Sequence, residues 1–231
     1  MTYALQLDAV DKSYPGKGER IAILARVDFQ VAPGQVVWLR GASGSGKTTL
    51  LNIAGLLAAP DAGTVRVGGQ PAPRLGGRQA ARLRGRTLGF VFQQHNLLGH
   101  LTAIENIVLA ARAPLRQAHA QARVALDSLG LTARADFPAD RLSGGERQRI
   151  AVARALINKP AVVLADEPIS GLDADSAGEV LRQLAAAAAA GHAVVLASHD
   201  DAAATIAHRT VTLAGGRLLE HEPDPVKGHA R

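Results

Sequence analysis

Alternating and continuous runs of apolar residues predict strands in the first and last thirds of the chain. Residues 3–7 and 25–31 alternate between apolar and polar positions, as strands do when one face of the sheet is buried. Residues 35–40, 161–165 and 193–197 are mostly apolar without alternation, which is typical of parallel strands buried on both faces. The pattern therefore predicts two kinds of sheet, one half-exposed and one fully buried.

Helical patterns separate these strands and dominate the middle third. Apolar positions recur with helical spacing over 48–57, 116–129 and 175–190, and a glycine follows each of the last two segments as a C-terminal stop. Because strands alternate with helices, we expect an α/β protein with a parallel sheet.

Capping boxes and glycine pairs mark further boundaries. Thr102 with Glu105 and Ser143 with Glu146 each place a hydroxyl at a helix cap and a carboxylate three residues later, and the second helix is expected to end near residue 158. The remaining short elements are a turn at 14–18, a hairpin at 64–69, a strand at 86–92 and a terminal hairpin at 209–220.

These elements predict one domain over residues 1–231. Its core comprises 1–93 and 159–220, and the core begins with an antiparallel β region. Residues 94–158 form an inserted helical subdomain. We expect the polar segment 221–231 to be a flexible tail.

Composition narrows the class of protein. The chain has no cysteine, which excludes disulfides and cysteine-ligated metals, and its beginning does not resemble a secretory signal. No apolar stretch reaches the roughly 18 residues that a membrane-spanning helix needs. The net charge of +6 includes a cluster of arginines. They are Arg74, Arg78, Arg82, Arg84 and Arg86.

This arginine cluster has two interpretations. It is either a patch for nucleic acid or anionic lipid, or the solvated face of a helix. We favour the solvated face, and expect no nucleic-acid partner, because no aromatic residues are interleaved for base stacking.

The strongest motif lies between a predicted strand and a predicted helix. It fits the phosphate-loop pattern, in which glycines let backbone N–H groups surround an anion at a helix N-terminus. Its residues are Gly41, Ala42, Ser43, Gly44, Ser45, Gly46, Lys47 and Thr48. Lys47 is predicted to reach the β- and γ-phosphates of ATP, and Thr48 to bind Mg²⁺. A chance glycine-rich turn is the alternative.

Two carboxylates follow the second buried strand. Asp166, at its end, is predicted to meet the Mg²⁺ held by Thr48. Glu167 is predicted to orient and deprotonate the water that attacks the γ-phosphate. The alternative, a pair of acids capping the turn before Pro168, is weakened by the phosphate loop.

The segment 142–149, Leu-Ser-Gly-Gly-Glu-Arg-Gln-Arg, resembles the signature of ABC ATPases. Ser143 caps a helix, and Gly144 and Gly145 leave N–H groups exposed at its positive end, so the segment is a second anion site beside the phosphate loop. Two such sites imply that two ATP molecules are sandwiched between two subunits. A capped helix without a ligand is the alternative. The residue after these glycines is often Gln in the family and is Glu146 here.

The resemblance implies roles for five further residues. Gln93 matches the glutamine that contacts Mg²⁺ and the γ-phosphate, His199 the histidine that hydrogen-bonds the γ-phosphate, and Thr49 a residue that binds ATP. Asp173 matches a loop that crosses to the other subunit, and Tyr14 the aromatic residue that stacks on adenine. The alternatives are a surface amide for Gln93, a solvated histidine for His199, a helix cap for Asp173 and a turn residue for Tyr14.

The resemblance covers about residues 5–220 and implies a P-loop NTPase (RecA-like) core with a parallel sheet, an N-terminal antiparallel β subdomain and an inserted α-helical subdomain. Within the family, the chain is similar to the branch that contains the lipoprotein-release, macrolide-export and cell-division ATP-binding proteins (LolD, MacB, FtsE). It implies an ATP- and Mg²⁺-dependent ATPase that dimerises and powers a separate membrane permease of the MacB/FtsX/LolC type. Such a subunit is peripheral, at the cytoplasmic face of the bacterial inner membrane.

Two other functions remain open at this point. A DNA-repair ATPase of this family needs a long coiled coil between Lys47 and Ser143, where we find no heptads, and translation factors usually carry two cassettes on one chain. An ATP sensor that does not hydrolyse ATP would not need Glu167 and His199.

Overall fold

A computed structural model describes residues 3–16, 18–73 and 77–220. The predicted tail at 221–231 and one residue of the arginine cluster, Arg74, lie outside these residues. In chain order the described strands and helices are β1 (Leu5–Pro15), β2 (Arg20–Val31), β3 (Val36–Arg40), α1 (Lys47–Ala54), β4 (Ala62–Val67), β5 (Gln70–Pro71), α2 (Arg78–Thr87), β6 (Leu88–Val91), α3 (Ala103–Val108), α4 (Leu115–Ser128), α5 (Gly144–Leu156), β7 (Val162–Asp166), α6 (Ala174–Ala189), β8 (Ala193–Ala197), β9 (Arg209–Ala214) and β10 (Arg217–Glu220).

Short 3₁₀ turns connect some of these elements. They span Thr132–Arg134, Ala139–Arg141 and Asp201–Thr205.

The N-terminal strands form a four-stranded antiparallel sheet in the order β2-β1-β4-β5. Alternate residues of β1, such as Leu5 and Leu7, are buried against the core, as the alternating pattern predicts. The predicted turn at 14–18 is wrong in its first residues. Tyr14 pairs with Ile21 inside the sheet, so the strands extend further and the reversal is tighter.

The second sheet carries the continuously apolar strands in the order β10-β9-β3-β8-β7-β6. Its strands pair in parallel except for β10, which returns antiparallel to β9 as the predicted terminal hairpin. Strands β3, β7 and β8 are buried along almost their whole length. Because parallel strands place their carboxyl ends at one edge, the loops after them converge there.

The segment before β6 differs from the prediction. The expected strand at 86–92 is shorter, because helix α2 continues to Thr87 and only Leu88–Val91 join the sheet. Ala80 and Leu83 are buried beneath the helix, while Arg78, Arg82 and Arg86 are exposed. Three of the clustered arginines therefore lie on a solvated helix face, and Arg84 donates to the Leu56 carbonyl.

The helices of the middle third have a hydrophobic core of their own. Ile104 and Ile107 of α3, Leu126 of α4 and Ile150 of α5 pack together there. Both predicted capping boxes are present, at Thr102 and at Ser143. The boundaries at 94 and 158 stay predictions. The predicted fold class is confirmed: an α/β core with a mostly parallel sheet, an antiparallel β region and a helical region.

No helix within the described ranges combines the length and the apolar character needed to cross a lipid bilayer.

Candidate functional site

The phosphate loop connects β3 to α1, and steric crowding explains why glycines occupy two of its positions. Gly46, the residue before α1, has φ of 105°, in the left-handed region that favours glycine. A Cβ at Gly46 would lie 2.7 Å from Ile23 Cγ2, and a Cβ at Gly41 would lie 2.5 Å from Ser45 Oγ. Larger residues at these positions would therefore collide with Ile23 of β2 or with the loop's own Ser45.

Lys47 is the first residue of α1 and is buried although it carries a charge. Its Nζ donates to the Gly41 carbonyl at 2.7 Å and lies 3.6 Å from Glu167 Oε1. A buried ammonium requires such partners, because desolvation without them is costly. The lysine is thus held at the centre of the loop, with a carboxylate on one side.

Thr48 and Asp166 bring together α1 and the end of β7. Thr48 Oγ1 donates to Asp166 Oδ2 at 2.8 Å. Burial raises the pKa of the Asp166 carboxyl, and the neighbouring charge of Glu167 raises it further, while the Thr48 hydrogen bond acts in the opposite direction. A cation placed here would favour the ionised carboxylate.

Glu167 follows β7 with a backbone φ of 46°, which is unusual for a residue with a side chain. Its N–H donates to the Ala197 carbonyl at 2.8 Å, and this bond ties it to the end of β8. Its Oε2 lies 3.0 Å from His199 Nδ1. The His199 side chain is 68% exposed, so it is the accessible member of the pair.

These side chains line one cavity of about 510 Å³. Its lining residues are Tyr14, Ile23, Ala42, Ser43, Gly44, Ser45, Gly46, Lys47, Thr48, Thr49, Gln93, Asp166, Glu167 and His199. Every residue predicted for the loop, catalytic and metal positions lines the cavity except Gly41, whose carbonyl accepts from Lys47. Ile23 was not predicted, because its contact with the loop depends on how the antiparallel sheet packs, for which the local sequence has no signal.

The residues predicted to act on a second subunit's ATP do not line this cavity within the described part of the chain. Ser143 and Asp173 are both helix caps: Ser143 Oγ accepts from Glu146 N, and Asp173 accepts from the Ser176 N–H and hydroxyl. A Cβ at Gly145 would lie 2.4 Å from Ser176 Oγ. The starts of α5 and α6 therefore pack closely, with Ser143 and Asp173 exposed and Gly145 buried.

Sequence reasoning also missed the link between the loop of Gln93 and the start of α5. His95 Nε2 lies 3.1 Å from the Gly144 carbonyl oxygen, and its Nδ1 lies 3.2 Å from that of Gln93. Arg154 of α5 donates to the His95 carbonyl at 2.7 Å and to that of Asn96. Both carbonyls belong to residues with positive φ, so these bonds hold a loop with an unfavourable backbone conformation.

The donor set of the cavity fits Mg²⁺. Thr48 supplies a hydroxyl, Asp166 a carboxylate and Gln93 an amide, and Mg²⁺ prefers oxygen ligands from few side chains together with water and phosphate. In the described residues, no cluster of three or more His, Cys, Asp or Glu exists that could hold a metal without other ligands.

Comparison with known proteins defines the class. The model of the ABC transporter family matches residues 24–170. The chain belongs to the ABC transporter family as its ATP-binding cassette, and the predicted resemblance is confirmed.

Particular relatives support the same assignment. The lipoprotein-releasing system ATP-binding protein LolD 1 of Caulobacter vibrioides is 41% identical over 97% of this chain and 98% of its own length. The macrolide export ATP-binding/permease protein MacB of Salmonella typhimurium is 40% identical over 96% of this chain, which spans only 35% of that relative. The ATP-binding cassette MJ0796, solved as a dimer bound to ADP and Pi, superposes with a TM-score of 0.86 at 32% identity, covering 95% of this chain and 100% of that one.

Proposed function

We propose that this chain binds ATP in the 510 Å³ cavity, hydrolyses it, and thereby drives a membrane permease. The observation that carries the proposal is the convergence of the phosphate loop, Asp166, Glu167, Gln93 and His199 on that one cavity. A phosphate cradle alone binds a nucleotide, whereas a carboxylate positioned beside it can also activate water.

Lys47 and Glu167 would divide the chemistry between them. The β- and γ-phosphates would meet Lys47, the helix dipole of α1 and the loop N–H groups. Phosphate would compete with Glu167 for the lysine, since their charged atoms lie 3.6 Å apart. Glu167, once released, would accept the proton of the attacking water, while His199 would hydrogen-bond the γ-phosphate.

Thr48, Asp166 and Gln93 would hold Mg²⁺. The ion supplies charge stabilisation to the phosphates during transfer. The Thr48–Asp166 hydrogen bond of 2.8 Å supports this assignment, because it brings the two oxygen ligands next to each other. At the other end of the cavity, Tyr14 would stack on adenine.

The second half of each site would come from another copy of the chain. Within the described residues, Ser143, Gly144, Gly145 and Asp173 lie outside the lining of their own chain's cavity, at the starts of α5 and α6, which supports a role toward another copy's nucleotide. In a two-fold homodimer each copy's surface would close the other's cavity. Bound ATP would join the halves, and ADP would release them.

A permease of the MacB/FtsX/LolC type is the partner that we propose, at the cytoplasmic face of the inner membrane. A groove of about 430 Å³ lies between α2 and β6 on one side and α5 on the other, and Asn96 of the Gln93 loop lines it. A permease segment bound there would contact the core and the helical region at once, so movement between them would reach the membrane.

Glu167→Gln tests the chemistry. The amide keeps the shape of the side chain but cannot accept a proton, so steady-state turnover should fall by about 100-fold or more. Nucleotide binding should persist, and ATP should trap a dimer. Glu179→Gln, on α6 and outside the cavity, is the matched control and should behave as wild type. Near-normal turnover of Glu167→Gln would show that Glu167 is not the base.

Cysteine cross-linking tests the groove, because the native chain contains no cysteine. Gly85→Cys, in the groove, should cross-link to a co-purified permease, whereas Gly178→Cys on α6 should not. Equal cross-linking at both positions, or none at Gly85→Cys, would contradict the proposed docking surface.

A further inference from the structure

A carboxylate lies at the very start of α5. In the proposed dimer, this helix start must accept a phosphate of the ATP bound to the other subunit. Glu146 Oε2 accepts from the Ser143 N–H at 2.8 Å, and the Glu146 N–H donates to Ser143 Oγ at 3.1 Å. Anion binding at a helix N-terminus depends on its positive dipole end and its free N–H groups. A full negative charge in the first turn opposes that binding, because like charges brought together across an interface repel each other.

Arg134 engages this carboxylate from a different element. Its Nε donates to Glu146 Oε1 at 2.8 Å from the 3₁₀ turn Thr132–Arg134. The guanidinium is held in place by the Phe137 ring, whose centroid lies 5.2 Å from it. The Glu146 side chain is 18% exposed and that of Arg134 is 46% exposed, so the pair lies at the edge of the surface, where salt screens it in part.

Both oxygens of Glu146 are therefore occupied by donors within its own chain. The Arg134 hydrogen bond, followed by that of the Ser143 N–H, lowers the pKa of Glu146. The carboxylate is thus charged at neutral pH, and Arg134 is the cation that offsets it. A glutamine at position 146 would cap Ser143 equally well and would need no such cation.

We infer that Arg134 is a positioning residue for ATP-dependent dimerisation, because it neutralises and orients Glu146 so that the start of α5 can accept the phosphate of the partner's ATP. The inference rests on the proposed function, since α5 meets a nucleotide only in the sandwich dimer. It predicts that the loss of dimer affinity caused by removing the Arg134 side chain depends on the charge at position 146. A purely structural Arg134 would have no such dependence.

A double-mutant cycle in the Glu167→Gln background tests the inference. The dissociation constant of the ATP-bound dimer is measured by sedimentation velocity at two salt concentrations. Arg134→Ala should weaken dimerisation about tenfold or more at low salt, and less at high salt, because salt screens the exposed repulsion. Arg134→Ala combined with Glu146→Gln should restore dimerisation to within about twofold of Glu146→Gln alone.

Three controls make the result specific. Arg141→Ala removes the same charge from an exposed position of the neighbouring turn and should leave the dissociation constant unchanged. Arg134→Lys keeps the charge and should retain dimerisation within about threefold of the parent. ATP binding to the monomer should be unchanged in all variants, because Arg134 acts on the partner's nucleotide.

The outcomes separate this inference from the proposed function. Equal weakening by Arg134→Ala with Glu or with Gln at position 146 would overturn it, and so would weakening by Arg134→Lys as large as that by Arg134→Ala. If Arg134→Ala does not fold, the lysine variant decides the question. Failure of the Glu167→Gln parent to dimerise with ATP would instead overturn the sandwich itself.

Discussion

The phosphate loop and the signature segment both place glycines at the start of a helix, but their surroundings differ. The start of α1 lies in a cavity on which Lys47, Asp166 and Glu167 converge. The start of α5 is outside that cavity, with Ser143 exposed and its capping partners already paired within the chain. We therefore expect the phosphate loop to bind a nucleotide by itself, and the signature segment to need a nucleotide that another subunit carries to it.

The difference follows from how the two regions are built. The carboxyl ends of parallel strands β3, β7 and β8 meet at one edge, so residues far apart in sequence become neighbours there. The helical region has its own hydrophobic core and meets the loop of Gln93 through few polar contacts, chiefly those of His95 and Arg154. Its helix α5 also packs against the core, through Val152 and Ala155.

The largest expected effect comes from separating the two halves by complementation. Lys47→Ala removes the charge that meets the phosphates, and Ser143→Arg blocks the trans surface, so each variant alone should lose ATP hydrolysis by about 100-fold or more. Mixed together, they can form a dimer with one intact composite site. ATP-dependent association of the mixture, measured by light scattering, should recover.

Unmixed samples of each variant are the control for this experiment. If Ser143→Arg alone kept both association and hydrolysis, the signature would be a structural helix cap. It would then have no role in binding the other subunit's nucleotide.

Gly145→Ala should perturb only the signature segment at the starts of α5 and α6, and not the phosphate loop. Its Cβ would lie 2.4 Å from Ser176 Oγ, so the start of α6 must shift at a cost of about 1–3 kcal/mol in the free energy of unfolding. Chemical denaturation measures that cost. Nucleotide binding to the monomer should persist while ATP-dependent dimerisation weakens.

Gly178→Ala is the matched control, since nothing lies within 4 Å of its Cβ, and it should stabilise α6 by about 0.5–1 kcal/mol. A loss of nucleotide binding in the Gly145→Ala monomer would show that the two halves are not independent.

His95→Ala should loosen the connection between the halves. It removes the contact with the Gly144 carbonyl, worth about 1 kcal/mol, so kcat should fall about fivefold with little change in KM for ATP. Hydrogen exchange of residues 93–96 should speed up. His100→Ala, at an exposed position of the same loop region, should change neither quantity. Unchanged exchange in His95→Ala would show that Arg154 alone holds the loop.

The smallest effect concerns the hairpin that carries Tyr14. Asp61 accepts hydrogen bonds from the Ser13 N–H and hydroxyl, from Lys12 and from Arg20. The bonds from Ser13, followed by that from Lys12, lower the pKa of Asp61. In the unfolded chain the pKa of this carboxyl is about 3.9. Because the folded pKa is lower, the ionised carboxylate stabilises the fold at pH values above about 3.9, and this stabilisation is lost as the pH falls toward the folded pKa.

The Tm of Asp61→Asn should thus lie slightly below that of wild type at pH 7, and the gap should narrow below about pH 4. Thermal unfolding followed by circular dichroism measures it. A gap that is constant from pH 7 to pH 3 would mean that the charge of Asp61 contributes nothing.

Much of this protein could be predicted from local sequence. The buried strands of the parallel sheet are continuous apolar runs, the helix starts at Thr102 and Ser143 carry complete capping boxes, and the phosphate loop has its own glycine spacing. Each of these signals involves residues within one turn or one strand of each other. For that reason the fold class and most of the residues that line the cavity could be predicted without the structure.

Other features were decided only by tertiary packing. The extension of β1 through Tyr14 depends on pairing with Ile21, and the place of Ile23 in the cavity depends on how one sheet meets the loop of the other. The roles of His95 and Arg134 arise from contacts with α5, across 49 and 12 residues respectively. A hydrogen bond between distant segments leaves no periodicity in the sequence, because it depends on the direction in which two packed elements point their side chains.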